Sequence, residues 1–215
     1  IAFERHYDMA TPPSLSYRQI LTNAWPIILA NMASPLVGLV DTAIIGNIGS
    51  VSDIAGLALG TLVCSFVYWS FGFLRMSSTG FVAQESIEKT AEKMRLLILR
   101  IGFIALILGV VVLLMSPLIS IIGFSLLEGG ESAEVSAKHY FAIRIFDSPA
   151  TLLFFGINGV FIGLGASRKV LLLQLFLNGT NFILSITLGL HLGMGIQGIA
   201  IASVAAMWLT CILGI

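Results

Sequence analysis

The chain has 215 residues, of which 57% are hydrophobic and 10% are charged, and its mean hydropathy is +1.01. Soluble globular proteins carry about 25% charged residues, so this composition excludes that class and predicts a polytopic membrane protein. The 11 basic and 11 acidic residues balance, and we expect the lipid bilayer rather than nucleic acid as a partner. Cys64 and Cys211 lie in apolar runs and predict neither a disulfide nor a metal site.

Six apolar segments are long enough to cross a bilayer, which takes about 20 helical residues. They lie near 18–47, 53–82, 94–123, 136–165, 169–191 and 194–215, and residues 1–17 form a polar lead-in at the cytoplasmic interface. Because open backbone is not tolerated in lipid, all six are predicted to be helices, and the fold class is an all-α six-helix membrane bundle. The chain begins with Ile1 and stops within an apolar run, so we expect it to be a piece of a longer protein.

Lysine and arginine are concentrated on alternate connections, as they are on the cytoplasmic side of membrane proteins. Three of the polar stretches, beginning with the N-terminal one, carry nearly all of them, including Arg5, Lys93 and Arg168, whereas the intervening connections hold only Lys138. The N-terminus is therefore predicted to be cytoplasmic, in a multi-pass protein of the cytoplasmic (inner) membrane.

One carboxylate, Asp41, lies inside the first segment, in the run SPLVGLVDTAIIGNIG (34–49). A central acid costs about 2.5–3.5 kcal/mol in a membrane helix, and such groups usually face a bundle interior and mark an ion or substrate pathway. The alternative is a carboxylate that reaches interfacial water or caps the following turn. Pro26 and Pro35 lie in the same helix, and each removes a backbone hydrogen bond and predicts a bend.

The fifth segment carries a polar stripe with the spacing of one helix face. Its members are Gln174, Asn178, Asn181 and Ser185. From the rise per residue of an α-helix, the distance to the outer end of the helix is about 8 Å for Asp41, about 9 Å for Ser185 and about 12 Å for Ser203. If the first, fifth and sixth helices are neighbours, these groups share one layer with Asn181. The alternative is that the polar groups only hold helices together, at about 0.6–2 kcal/mol each.

Other polar residues carry weaker signals. Arg144 and Asp147 are spaced for an ion pair on the fourth helix, and Arg75, Arg100 and Arg144 are placed toward the ends of their segments. The turn at 47–53 favours Ser52 or Asp53 as the helix cap. Residues 123–134 are predicted to form the longest external loop.

An intramembrane serine protease would need a nucleophile in a Gly-x-Ser-Gly-like turn and a positioned histidine. Ser125 and Ser167 follow Gly-Phe and Gly-Ala, but neither is followed by glycine, and no histidine lies at a matching depth. The sequence therefore predicts no enzyme.

Five motifs, in order along the chain, resemble those of the multidrug and toxic compound extrusion (MATE) transporters, and among them the DinF-like subfamily. They are the run at 34–49, FGFLRMSSTGFVAQ (71–84), YFAIRIFDSPATLL (140–153), NGVFIGLGASR (158–168) and LNGTNFILSITLGLHLGMGIQGIAIASV (177–204). The resemblance implies twelve helices in two lobes, with residues 18–215 as the N-terminal lobe and the C-terminal lobe absent from this chain. It also implies antiport, in which H+ or Na+ enters and amphipathic, often cationic small molecules leave.

The resemblance also implies roles for individual residues. Asp41 is similar to the family's cation-coupling carboxylate and Pro26 to the proline at which the first helix bends. The positions similar to cavity-lining ones are Tyr140, Asn158, Asn181 and Ser203, and we expect the rest of the polar stripe to face the same cavity. Ser185 and Val37 depart from the family pattern, which has Asp and Tyr there.

The missing second carboxylate favours H+ over Na+, because hard cations prefer several oxygen ligands with negative charge. We therefore expect Asp41 protonation to bend the first helix, and we expect no cofactor beyond the coupling ion, although Na+ stays possible. Two alternatives stay open. A lipid-linked oligosaccharide flippase of the same superfamily would have a larger cationic cavity, and a non-transporting bundle would lack a second lobe.

Overall fold

The computed structural model describes residues 17–88, 91–127 and 130–215, and within them the side chains of 18–20, 23, 33–37 and 88 are left out. The described residues form helices, joined by short connections, and no strand. The α-helices are α1 (Tyr17–Ile48), α2 (Val51–Ser70), α3 (Phe73–Glu88), α4 (Ala91–Leu114), α5 (Ser116–Ser125), α6 (Glu131–Arg144), α7 (Ser148–Gly163), α8 (Ser167–Leu184) and α9 (Gly195–Gly214). The lead-in predicted at residues 1–17 lies almost wholly outside the described residues.

These helices combine into six membrane-length segments, as the fold class requires. Five candidate spans are apolar and long enough to cross a bilayer, namely Val51–Ile87, Ala91–Leu114, Glu131–Gly163, Ser167–His191 and Gly195–Gly214. The remaining helix of membrane length is α1, which has 32 residues and contains the shorter apolar stretch Gly38–Ile48. The chain is an all-α integral membrane protein.

Several segments are not single regular helices. Pro117, in the first turn of α5, lacks a backbone N–H and follows the break between α4 and α5 at Met115. A 3-10 turn, Ile145–Asp147, joins α6 to α7, which also begins with a proline, Pro149. A π-helix, Ser185–His191, continues α8. Irregular helical turns are frequent at functional positions, and the 3-10 turn and the π-helix both border the site described below.

Close helix packing depends on small residues, as is usual in membranes. On α2, Gly56 and Gly60 lie against α6, and a Cβ at Gly60 would come within 2.6 Å of the Tyr140 ring. On α7, Gly159 and Gly163 lie against α3 in the same way. These glycines let the backbones approach directly, which fixes the depth at which the side chains of α6 and α7 meet their neighbours.

The outward face of α4 carries a stripe of exposed apolar residues at helical spacing. It consists of Leu99, Phe103, Ile107 and Val110, which are between 44% and 67% exposed. Side chains of this kind on one face are expected in contact with acyl chains. Cys64 and Cys211 are instead buried and unbridged.

Two local expectations were wrong. The cap of α2 is Ser50, whose hydroxyl accepts from the Asp53 N–H while the Asp53 carboxylate accepts from the Ser50 N–H, so Asp53 is the third residue of a capping box rather than the cap. The external loop expected at 123–134 has narrower bounds than predicted, because α5 extends to Ser125 and α6 begins at Glu131.

Proline does not interrupt the first helix. Pro26 is fully buried, and α1 is continuous from Tyr17 to Ile48 through positions 26 and 35. The side chain of Pro35 lies outside the described residues. The role of either proline in bending stays a prediction.

Candidate functional site

Asp41 is held inside the bundle by a serine of the π-helix. Its side chain lies on α1 and is 4% exposed. Ser185, fully buried at the first position of the π-helix, donates its hydroxyl to Asp41 Oδ1 at 3.0 Å. The bond joins α1 to the fifth segment, and α1 packs along α8. A hydrogen bond to a carboxylate of this burial is stronger than one between neutral groups.

A second polar bond lies in the same part of the bundle. Asn181 Nδ2 donates to Ser203 Oγ at 2.9 Å, linking α8 to α9. Asn181 Oδ1 is buried and has no hydrogen-bond partner among the described residues. A buried amide oxygen without a partner can accept a hydrogen bond from water or a bound solute.

The polar stripe of α8 continues from this point into a cavity. Gln174 Nε2 donates to Asn178 Oδ1 at 3.0 Å. Both residues line a cavity of about 760 Å³ between α1, α2, α6, α8 and α9. The polar and charged lining residues are Asp41, Thr42, Thr61, Ser65, Tyr140, Arg144, Gln174, Asn178, Asn181 and Ser203. The remaining wall is apolar and includes Leu57, Leu62, Leu177 and Met207. A cavity of this size and mixed lining suits a drug-sized amphipathic compound.

Two of the expected cavity residues do not line it. Ser185 is fully buried behind Asp41, which it contacts directly. Asn158 is buried on α7, outside the set of lining residues, and its Oδ1 has no hydrogen-bond partner among the described residues. Asn158 therefore takes part in helix packing in this structure rather than in the cavity wall.

A buried charged network borders the cavity. Arg144, at the end of α6, forms an ion pair with Asp147 in the 3-10 turn, and Tyr68 of α2 donates its hydroxyl to the same carboxylate. The Tyr68 oxygen also lies 3.3 Å from Ser148 Oγ. Asp147 is completely buried, so its two partners take the place of water.

The position of Arg144 corrects the sequence-based expectation. The ion pair predicted from the spacing of Arg144 and Asp147 is confirmed. Arg144 was also expected toward the end of its membrane segment, whereas it lies well inside the Glu131–Gly163 span and lines the cavity. The spacing of Arg144 and Asp147 inside an apolar segment was the available signal. No sequence signal pointed to the hydroxyl groups of Thr61, Ser65 and Tyr68, since single hydroxyl groups in a membrane helix are common.

The described residues contain no group of three or more His, Cys, Asp or Glu side chains placed to hold a metal ion. Asp41 is the one carboxylate among the described residues that line the cavity. A cation bound beside it would therefore find hydroxyl and amide oxygens as its other ligands from this part of the chain.

Known proteins are similar to this chain in sequence. "DNA damage-inducible protein F" of Escherichia coli (strain K12) is 32% identical over 192 residues, which is 89% of this chain and 42% of that protein. "Probable multidrug resistance protein NorM" of Acinetobacter baylyi is 26% identical over 199 residues, or 91% of this chain and 44% of that protein. The chain thus spans less than half the length of these curated relatives.

Solved structures agree with the sequence comparison. A crystal structure of MATE in the straight conformation has a TM-score of 0.79 at 21% identity and covers 91% of this chain and 43% of that one. A structure of MATE in the bent conformation has a TM-score of 0.80 at the same identity and the same coverage. The MatE family model matches residues 26–187, most of the chain. The chain therefore belongs to the MatE family.

Proposed function

We propose that this chain is the N-terminal lobe of a cation-coupled antiporter that exports amphipathic, often cationic compounds across the cytoplasmic membrane, with a proton on Asp41 as the coupling ion. Family membership supports transport rather than catalysis. The observation that carries the proposal is the position of Asp41, which borders the cavity and accepts a hydrogen bond from Ser185. The same carboxylate can therefore meet either a proton or a bound compound.

Coupling follows from competition at that carboxylate. While Asp41 is charged, it attracts a cationic compound in the cavity and holds Ser185. Protonation removes the charge, so the attraction for the compound and the Ser185–Asp41 hydrogen bond between α1 and the π-helix weaken together. Helix α1 then bends at Pro26, the cavity narrows and the compound leaves on the outer side. The N-terminus in this scheme is cytoplasmic, and a second lobe completes the pathway.

The test is transport by the full-length protein in proteoliposomes with an imposed pH gradient. We expect Asp41→Asn to abolish proton-driven efflux of a cationic dye. Asp53→Asn is the matched control, because Asp53 is also a carboxylate in a membrane segment but lies in the capping box, away from the cavity lining. Wild-type efflux by the Asp41→Asn protein would refute the coupling role.

The choice of H+ over Na+ has its own test. Ser185→Asp would place a second carboxylate beside Asp41, where the Ser185 hydroxyl now donates its hydrogen bond. Two carboxylates supply the negative charge that a Na+ site favours, so we expect efflux driven by a Na+ gradient without a pH gradient. Ser185→Asn adds similar bulk without charge and is expected to show no Na+ dependence. An equal response of both variants would contradict the argument.

The oligosaccharide flippase is the second candidate, and the cavity cation Arg144 is the observation in its favour. A single guanidinium, faced by Asp41 in the same lining, does not make the strongly cationic cavity that such a substrate would need. Drug export therefore ranks first. A non-transporting bundle would be excluded by any proton-driven efflux from the full-length protein.

A further inference from the structure

A second cavity lies apart from the site described above, between α4, α7 and the end of α9, and we call it the α4–α7 groove. Its volume is about 480 Å³. Every described residue that lines it is a glycine, valine, isoleucine, leucine or phenylalanine, and none of them lines the cavity beside Asp41. Because these side chains offer no hydrogen bond, the groove suits a hydrocarbon rather than a polar solute.

Glycine and exposed apolar side chains open the groove toward the bilayer. Gly102 of α4 is part of the lining, and the nearest atom of another helix that a Cβ there would meet is Leu153 Cδ1, at 3.8 Å. The space beside Gly102 is therefore free for a larger side chain or for a ligand. Leu99 and Phe103, which also line the groove, are 60% and 67% exposed. A chain from the surrounding lipid can enter on this side.

The dimensions of the groove match one acyl chain. Its lining on α4 runs from Ile98 to Leu106. That length is about 12 Å at the helical rise, within the hydrocarbon depth of one leaflet, about 15 Å. A methylene group takes up about as much space as a water molecule, ~30 Å³, so the groove holds about 16 of them. A helix from a second lobe or a second copy would instead need a contact face about 30 Å long.

Cations surround the end of the groove where α4 begins and α7 ends. Lys169, in the first turn of α8, places Nζ 5.3 Å from the centre of the Phe161 ring, and that ring lines the groove. Arg95 is exposed on α4 one turn before Leu99, on the same face of the helix. Glu92 is exposed one turn further from the groove, and the two cations outnumber it. This end therefore favours an anion at the depth of the lipid headgroups.

We propose that the α4–α7 groove binds one molecule of an anionic phospholipid, taken from the leaflet that is cytoplasmic in the proposed topology. One acyl chain lies beside Gly102, and the phosphate-bearing headgroup binds Arg95 and Lys169. Cations are common at cytoplasmic ends of membrane helices, but here an ammonium lies over a ring that lines the groove, which joins the charged and apolar parts into one site. The site is separate from the transport cavity and does not depend on the proposed function.

Native mass spectrometry of the purified full-length protein tests this site. Delipidated protein in detergent is titrated with palmitoyl-oleoyl phosphatidylglycerol, which is anionic, or with the zwitterionic phosphatidylcholine that has the same two chains. We expect one phosphatidylglycerol molecule to bind each protein, about tenfold more tightly than phosphatidylcholine, because cations near the headgroup favour the anionic lipid.

Variants test the two parts of the site separately. Gly102→Phe fills the groove, and we expect it to weaken phosphatidylglycerol binding about tenfold. Gly80→Phe is the matched control, because Gly80 is exposed on α3 and a Cβ there meets nothing within 4 Å. R95Q/K169Q leaves the groove open and is expected to bind the two lipids equally. A phosphatidylglycerol with a diazirine in its acyl chain should label α4 and α7 in the wild-type and Gly80→Phe proteins, and much less in Gly102→Phe.

Several results would overturn the proposal. They are the absence of a bound phosphatidylglycerol on the wild-type protein, equal binding by the Gly102→Phe and Gly80→Phe proteins, and labelling confined to other helices. Equal affinities of the wild-type protein for the two lipids would show that the cations take no part. A dimer mass that is present in the wild type and lost in Gly102→Phe would assign the groove to a second copy of the protein instead of a lipid.

Discussion

Removing one member of the Arg144–Asp147 pair is predicted to destabilise the protein more than removing both. In R144Q, the fully buried Asp147 keeps its charge and retains the Tyr68 hydroxyl, but loses its cation. Breaking a buried ion pair in this way costs about 3–5 kcal/mol. In R144Q/D147N the two new amides can bond to each other, and the amide oxygen at position 147 can still accept from Tyr68, so we expect a loss of about 1 kcal/mol or less.

The assay is thermal unfolding of the purified full-length protein in one detergent, followed by tryptophan fluorescence for the wild type, both single variants and the double variant. The double-mutant cycle gives the coupling between the two positions. We expect R144Q to have the lowest midpoint and the double variant to lie close to the wild type. Additive losses, with the double variant the least stable, would refute the buried pair.

Two further predictions concern the cavity wall. Ser65→Cys should react quickly with a charged maleimide, because Ser65 is exposed and lines the cavity, whereas the neighbouring Cys64 is buried and serves as the internal control. Gly60→Ala should weaken dye binding several-fold, because the new methyl group would lie 2.6 Å from the Tyr140 ring and displace it, whereas Gly46→Ala meets nothing within 4 Å and should bind normally.

Each has a clear contradicting result. Labelling of the Ser65→Cys protein no faster than that of the parent would mean that this side of the wall is closed to water. Equal dye affinities of the Gly60→Ala and Gly46→Ala proteins would show that the position of Tyr140 does not affect the cavity.

Sequence reasoning could estimate the depth of Asp41 because this estimate needs only the helix ends and a fixed rise per residue. The same arithmetic, with the spacing of the stripe on α8, placed Asn181 and Ser203 in one layer with it, and the structure brings these two into contact. The neighbouring arrangement of α1, α8 and α9 was a condition of that argument, and the structure meets it.

What sequence reasoning could not supply was rotation about each helix axis. Asn158 was expected to line the cavity from the family resemblance alone, and in the structure it is buried on α7 outside the cavity lining. Arg144 was expected toward the end of its segment, although its spacing from Asp147 predicted the ion pair that the structure shows. The 3-10 turn that brings the two residues together within the span has no clear sequence signal.

The 3-10 turn also has a consequence for biosynthesis. Trp208 of α9 donates its indole N–H to the carbonyl of Phe146 in that turn, at 3.2 Å, from 62 residues further along the chain. A carbonyl without a partner in hydrocarbon costs several kcal/mol. Because Phe146 leaves the ribosome first, the fourth segment enters the membrane before its partner exists. The hydrogen bond between the 3-10 turn and α9 can therefore form only after α9 has been synthesised.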